Sequence, residues 1–272
     1  MSRKHAVGAV LLWSTVASAF KLSLRYMSPF QLLFWAFLTS FLFYGFLYRK
    51  NFRISRENLR SAYLGFVLLL YYSVLFSAYD LLPAQEAQAL NYTWPLVLVL
   101  LSVPLLDERL TARTLTGLLL GFSGALIVAT RGNVLSLDFS NPIGDALGLG
   151  SAFIWATYWL LNVRDNRRLE EKMFWNFAFA LIYAFPLAFS SGFSVLPVGI
   201  AGAVYVGLFE MGVTYLLWYR AIEGDVAFAS NLAYLVPFLS LLFISTVLGE
   251  RIEVSTLIGL ALIVAGIILG KR

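Results

Sequence analysis

Long apolar runs separated by short polar clusters make up this chain. A helical span needs about 20 apolar residues at 1.5 Å rise per residue to cross about 30 Å of hydrocarbon. Ten segments come near that length: Ala6–Ser23, Pro29–Tyr48, Leu59–Tyr79, Ala84–Leu105, Ala112–Thr130, Pro142–Asn162, Met173–Ser190, Pro197–Tyr219, Val226–Leu248 and Val254–Gly270. The pattern predicts an all-α integral membrane fold. The longest polar stretches, Arg49–Arg60 and Arg131–Asn141, are too short to build an extramembrane domain.

Orientation follows from the basic residues between spans, because Lys and Arg near helix ends are retained in the cytoplasm. With the N-terminus inside, 16 of the 20 Lys and Arg fall in cytoplasmic segments, and only Lys21, Arg25, Arg131 and Arg251 fall outside. The count predicts both termini and the 49–60 and 163–172 loops in the cytoplasm of a cell whose inner (plasma) membrane holds the chain. Arg3-Lys4 before an apolar run resembles a signal peptide, but no small-residue cleavage pattern follows, so a retained first helix is expected.

The stretch Ala87–Glu108 repeats at an offset of 142 residues: Pro95 returns as Pro237 and Glu108-Arg109 as Glu250-Arg251. The same offset pairs Gly8 with Gly150, Trp13 with Trp155, Thr15 with Thr157, Tyr63-x-Gly65 with Tyr205-x-Gly207, Gly117 with Gly259 and Gly124 with Gly266. The chain therefore divides into a first five-helix repeat at 1–130, a second at 142–272, and a connecting periplasmic loop at 131–141. An odd number of spans per repeat makes the two enter the membrane in opposite senses. Inverted repeats of this kind build secondary transporters that bind substrate near the midplane.

Composition removes other classes. Sixty per cent apolar residues and 13% charged, with a mean hydropathy of +0.79, lie far from soluble averages. The net charge of +5 is scattered between apolar runs rather than gathered on one face, so nucleic acid is not an expected partner. With no cysteine and one histidine, no thiolate or histidine metal site is expected. No cofactor motif appears, no Gly-x4-Gly-Lys-Ser/Thr loop points to ATP, and no His-Glu-x-x-His or Gly-x-Ser-x-Gly site points to an intramembrane enzyme.

Candidate chemistry lies where polar groups meet mid-span positions. Pro95 lacks an N–H, so the Asn91 carbonyl loses its helical partner and lies beside the Asn91 amide and the Trp94 ring. Tyr71, Tyr72, Trp155, Tyr158, Tyr215, Trp218 and Tyr234 also lie near mid-span, where an indole or phenol needs a partner that lipid does not give. Tyr44, Tyr48, Tyr63, Tyr79 and Trp175 lie near span ends and read as an interfacial belt. Glu210 is a carboxylate near mid-bilayer, where a charge costs at least about 2.5–3.5 kcal/mol, and so reads as functional by default. Lys21 is the nearest obvious cation. Glu108-Arg109 and Glu250-Arg251 read as turn caps ahead of the following helices. Gly117-x-x-x-Gly121, Gly124 and Gly266-x-x-x-Gly270 allow close helix packing, read here as helices 5 and 10 each braced against its own half within a monomer, with a dimer face as the second reading.

These features together resemble the EamA-type drug/metabolite transporter superfamily: ten spans in two halves, each with a proline helix ending in Leu106-Asp-Glu-Arg109 or Leu248-Gly-Glu-Arg251 and then a Gly-x6-Gly helix. Within it, Asn91-Tyr-Thr-Trp-Pro95 and Trp13-Ser14 are similar to the YddG-type aromatic amino acid exporters. The resemblance implies that helices 1, 3, 4, 6, 8 and 9 line a central cavity. The reading is a secondary transporter that exports small amphipathic metabolites, foremost amino acids with aromatic or large side chains. Its expected binding residues are Trp13, Tyr71, Asn91, Trp94, Pro95, Trp155, Tyr158, Glu210, Tyr215 and Tyr234, and its hinges Pro95 and Pro237. A carrier of another substrate class, or a passive channel, stays open as an alternative.

Overall fold

A computed structural model describes residues 2–97, 100–101, 111–135, 139, 141–163, 165–192, 196–224, 232–233 and 235–270. Its helices are α1 (Ser2–Ser23), α2 (Pro29–Tyr48), α3 (Arg60–Leu81), α4 (Ala84–Asn91), α5 (Ala112–Ala129), α6 (Pro142–Val163) and α7 (Leu169–Ser190). α8 runs through Pro197–Tyr205, a π-helical turn at Val206–Gly212, and Val213–Gly224. α9 comprises Val236–Phe243 and a π-helical turn at Ile244–Leu248, and α10 is Val254–Gly270. The fold is all-α and membrane-embedded. Five stretches, Arg3–Ser23, Pro29–Tyr48, Arg56–Leu81, Leu169–Ser190 and Pro197–Ala221, are long and apolar enough to cross a bilayer, and Leu115–Ala129, Val236–Leu248 and Val254–Leu269 are shorter apolar helices.

Local chemistry fixes several boundaries. Ser28 caps α2: its side chain accepts from the Gln31 N–H while Gln31 reaches back to the Ser28 N–H, and Pro29 fills the first turn, where a missing N–H costs nothing. The expected single helix Ala84–Leu105 is broken instead. α4 ends at Asn91, Tyr92 and Thr93 form a turn, and helix resumes at Trp94. The Leu90 carbonyl accepts both the Thr93 N–H and the Thr93 hydroxyl, at 2.7 Å, which closes the first segment. Pro95 then sits second in a new segment, as Pro237 does in Val236–Phe243. At that position a proline removes no helical bond.

The chain forms two compact units, Met1–Ser73 with Asn162–Leu248 and Val74–Leu161 with Gly249–Arg272, each drawing on both halves of the sequence. In the first unit the main packing is α1 on α8 and α9, α2 on α7, and α2 on the π turn of α8. Tyr44 belongs to this core rather than to an interfacial belt: it is fully buried, with its hydroxyl 3.2 Å from the Met211 carbonyl and 3.0 Å from that of Gly212. Those carbonyls lie at the end of the π turn, where the α-helical bonding register is lost, and a tyrosine from α2 supplies the donor. Tyr48 and Tyr79 are buried as well.

Two expectations about the second unit change. Glu250 does cap a helix, but the helix is α4 rather than the one that follows it. Its carboxylate accepts from the Ala84 N–H at 3.0 Å and the Gln85 N–H at 3.4 Å, placing negative charge on the positive end of α4. Gln85 returns the contact, donating to the Arg251 carbonyl at 2.9 Å and accepting from the Glu253 N–H at 2.9 Å. Glu108-Arg109 lies outside the described residues. The glycine helices α5 and α10 pack chiefly on each other, and α5 packs more lightly on α4 of its own half. Gly259 and Gly266 press on the α5 backbone so closely that an added Cβ would lie 2.5 Å from the Gly124 and Gly117 carbonyl oxygens, respectively.

A polar knot ties the 163–172 loop to the start of α3. Arg167 donates to both Asp165 oxygens, at 3.0 and 2.6 Å, and to the Ser61 hydroxyl at 2.8 Å, with the ionic side chains only 6% and 4% exposed. Burial alone would push the Asp165 carboxyl up, but the side-chain and backbone bonds from Arg167 outweigh it and hold the group below the usual carboxylate range. Because the folded state favours the charged form, this stabilisation is complete above the unfolded value of about 3.9 and is lost as pH falls through the lower folded value. Asp165→Asn should therefore cost about 3–5 kcal/mol at neutral pH, since it leaves a buried guanidinium unpaired. It should also flatten the loss of stability below about pH 4. Melting temperatures of both proteins from pH 3 to pH 7, on the order of that window, check this; parallel curves would rule it out.

Candidate functional site

Glu210 stands inside the π turn of α8 and is 8% exposed. Its Oε1 accepts from the Tyr72 hydroxyl at 3.3 Å, and the Tyr72 oxygen lies 2.9 Å from that of Tyr215. A phenol has one proton to give, and that of Tyr72 points at the carboxylate, so Tyr215 donates to Tyr72. The order is Tyr215 to Tyr72 to Glu210, with Lys21 not among the bonded partners of Glu210. Glu210 Oε2 is buried and has no hydrogen-bond partner. Tyr71 lies beside this chain, its ring 4.6 Å from that of Tyr72. Three of the expected residues, Tyr71, Glu210 and Tyr215, thus come together through Tyr72. The π turn itself, which carries the carboxylate, has no signature in residue periodicity.

A cavity of about 560 Å³ opens in the same unit between α1, α8 and α9, within the usual range of about 300–1,000 Å³ for small-molecule sites. Its walls include Leu22, Tyr26, Tyr205 and Phe243, and its hydroxyl-bearing serines and threonine are Thr15, Ser18 and Ser23. Thr15 donates to the Leu12 carbonyl at 2.7 Å, so the 2.7 Å contact with Tyr205 has the phenol as donor. The Ser18 hydroxyl is buried and unpartnered. Sequence reading missed Ser18 and Tyr205. The spacing Ser14, Ser18 along α1 was the available signal, weak because a helical serine commonly bonds the carbonyl four residues back, as Ser14 does to Val10 at 2.6 Å. Trp13, on α1, packs against Trp218 at 5.1 Å between ring centroids.

The other expected residues lie in the second unit. The Asn91 amide donates to the Ser151 hydroxyl at 2.8 Å, and that hydroxyl donates to the Gly148 carbonyl at 2.6 Å. Trp155 and Tyr158, on the same face of α6, stack at 5.3 Å with 9° between planes. Trp94 packs on the apolar cluster of Val97, Ala152 and Ala156. Pro95 and Pro237 stand in first helical turns as described above, and Tyr234 lies outside the described residues.

Known proteins match the chain over nearly all of its length. It is 26% identical to an uncharacterized transporter of Archaeoglobus fulgidus, covering 98% of this chain and 97% of the relative. It is 30% identical to the aromatic amino acid exporter YddG of Ancylobacter novellus, covering 72% of this chain and 70% of the relative. A solved crystal structure superposes with a TM-score of 0.70 at 26% identity, covering 98% of this chain and 95% of that one. The model of the EamA-like transporter family matches residues 5–130 and again residues 142–270, and the chain, a multi-pass membrane protein, belongs to that family.

Proposed function

We propose that the protein is a secondary transporter that exports amino acids with aromatic or other large apolar side chains by alternating access between two inverted five-helix repeats. The observation that carries this reading is the half-satisfied carboxylate of Glu210. One oxygen is held by the Tyr215–Tyr72 chain, and the other is buried and open. A substrate ammonium meets that oxygen with a charge-assisted bond, while the aromatic-walled cavity on the same helix suits a large apolar side chain. The name carried by the Ancylobacter novellus relative supports the same substrate class. The site lies in an inner-membrane carrier with both termini cytoplasmic, as the basic-residue count supports. The carrier works as a monomer, since the α5 and α10 glycines are used between those two helices.

Counterflow in proteoliposomes tests the proposal. Vesicles preloaded with unlabelled phenylalanine or tryptophan should accumulate the labelled compound transiently and saturably, and vesicles preloaded with alanine should do so far less. Flux that rises linearly with concentration and shows no counterflow would mean a channel. Counterflow confined to non-amino-acid metabolites would move the protein to another substrate class.

A further inference from the structure

The stretch Arg49–Arg60, from the end of α2 to the first residue of α3, plays no part in the Glu210 site or the cavity. It carries Arg49, Lys50, Arg53, Arg56 and Arg60 against one acid, Glu57, and all six of these residues are exposed. The ion pairs that the neighbouring 163–172 loop forms among the described residues, Arg167 with Asp165 and Arg168 with Glu170, take in none of the five basic groups. Large apolar side chains are exposed between them: Phe52 at 49%, Ile54 at 79% and Leu59 at 66%.

The stretch is held from the protein side. The Tyr48 hydroxyl, at the end of α2, accepts from the Arg53 N–H at 3.0 Å and donates to the Arg53 carbonyl at 3.2 Å. The buried Asn58 donates its amide to the same carbonyl at 3.0 Å, and its oxygen accepts from the Ser55 hydroxyl at 3.1 Å and from Arg167 at 3.5 Å. Two contacts set its depth. Phe46 is 61% exposed in the last turn of α2, a helix long and apolar enough to cross a bilayer, and the Arg49 guanidinium lies 4.0 Å over its ring. A ring facing lipid at a span end, with a cation stacked on it, puts that cation at headgroup level. Phe52 folds back beside Tyr48, Phe174 and Trp175, at 5.7, 5.9 and 5.9 Å between ring centroids, so the loop lies along the ends of α2 and α7 rather than projecting away from them.

We propose that the 49–60 stretch is a docking surface for anionic phospholipid headgroups on the membrane face where it lies, with lipid phosphates on the basic side chains and Phe52, Ile54 and Leu59 set into the boundary with the acyl chains. Basic groups interleaved with exposed apolar ones suit neither bulk water nor hydrocarbon, and the headgroup layer supplies phosphate and acyl carbon side by side. A soluble anion answers the charge but leaves the apolar groups in water. Because Tyr48 and Asn58 already hold the loop in shape, docking spends little ordering entropy. The inference stands apart from the carrier reading above, and from which face is cytoplasmic.

The test uses the full chain, which has no cysteine, so that Ile54→Cys takes a single bimane label. In nanodiscs containing phosphatidylglycerol the label should emit to the blue and be quenched by acrylamide several-fold less than in discs of phosphatidylcholine alone. The difference should shrink in about 1 M salt, where the Debye length is about 3 Å. Short-chain phosphatidylglycerol titrated into the protein in neutral detergent should bind more tightly than phosphatidylcholine. Arg53→Gln and Arg56→Gln should each weaken it about five-fold, the equivalent of about 1 kcal/mol per basic residue at an anionic surface. Both side chains are exposed, so the variants should keep the wild-type melting temperature. Arg25→Gln, which removes an exposed basic residue at the other end of α2, should leave lipid binding unchanged. Equal binding of the two lipids, a loss in Arg25→Gln as large as in Arg53→Gln, or a label equally open to acrylamide in both discs overturns the proposal. Displacement of the lipid by glycerol phosphate at equal concentration overturns it too, in favour of a site for a free anion.

Discussion

Gly259→Ala and Gly266→Ala should each remove most folded protein from the membrane. The added methyl of Gly259→Ala would lie 2.5 Å from the Gly124 carbonyl oxygen and 2.5 Å from Val128 Cγ2, and that of Gly266→Ala 2.5 Å from the Gly117 oxygen and 2.7 Å from the Gly121 nitrogen. Most of these obstacles are backbone, so no side-chain rotation relieves the clash and the helices must separate. Overpacking costs about 1–3 kcal/mol where side chains yield, and more where they do not. Against a total stability of about 5–15 kcal/mol, a helix separation forced by either change alone takes a large share of what holds the fold. Gly150→Ala is the control, since its nearest neighbour is 4.0 Å away. It should be neutral, or stabilise by up to about 1 kcal/mol through helix propensity. Monodisperse yield and melting temperature in detergent report all three. A wild-type melting temperature for Gly259→Ala would show that α5 and α10 do not meet as described, and a loss of dimer with folded monomer retained would assign the glycines to an intermolecular face.

Glu210→Gln should weaken binding of amine-bearing substrates by about 10- to 150-fold, the equivalent of the 1.5–3 kcal/mol of a hydrogen bond to a charged group. The amide keeps the shape and an acceptor for Tyr72 but withdraws the charge proposed to meet an ammonium. An aromatic acid lacking the amine should lose little, which separates recognition from misfolding. Tyr72→Phe should act in the same direction and more weakly: it breaks the Tyr215–Tyr72–Glu210 order and leaves the carboxylate in place but unsteadied. Equilibrium binding of phenylalanine and its des-amino analogue to all three proteins decides it. Equal losses for both ligands would make Glu210 a structural residue of the π turn, and Glu210→Gln with unchanged phenylalanine binding would place the ammonium elsewhere.

The sequence by itself determined the membrane class and most helix positions, because span length is set by bilayer thickness and apolar runs report it directly: Pro29–Tyr48 and Val254–Gly270 stand where the pattern put them. It also determined that Glu210 and the mid-span tyrosines were chemically out of place in lipid, since the cost of a polar group there does not depend on its neighbours. What it left open was partnership. Nothing in the spacing of Glu250 says that its carboxylate closes the first turn of α4, because 166 positions separate Glu250 from Ala84. The repeat placed Gly117 and Gly124 opposite Gly259 and Gly266 in alignment, not in contact; packing decided that the two sets face each other. Asn91 was read from its lost helical bond, and only the approach of α6 gave its amide to Ser151. Asp145 and Glu86 drew no notice as single acids near helix starts, where carboxylates are common. Their near-complete burial belongs to the folded arrangement and to no local stretch of chain.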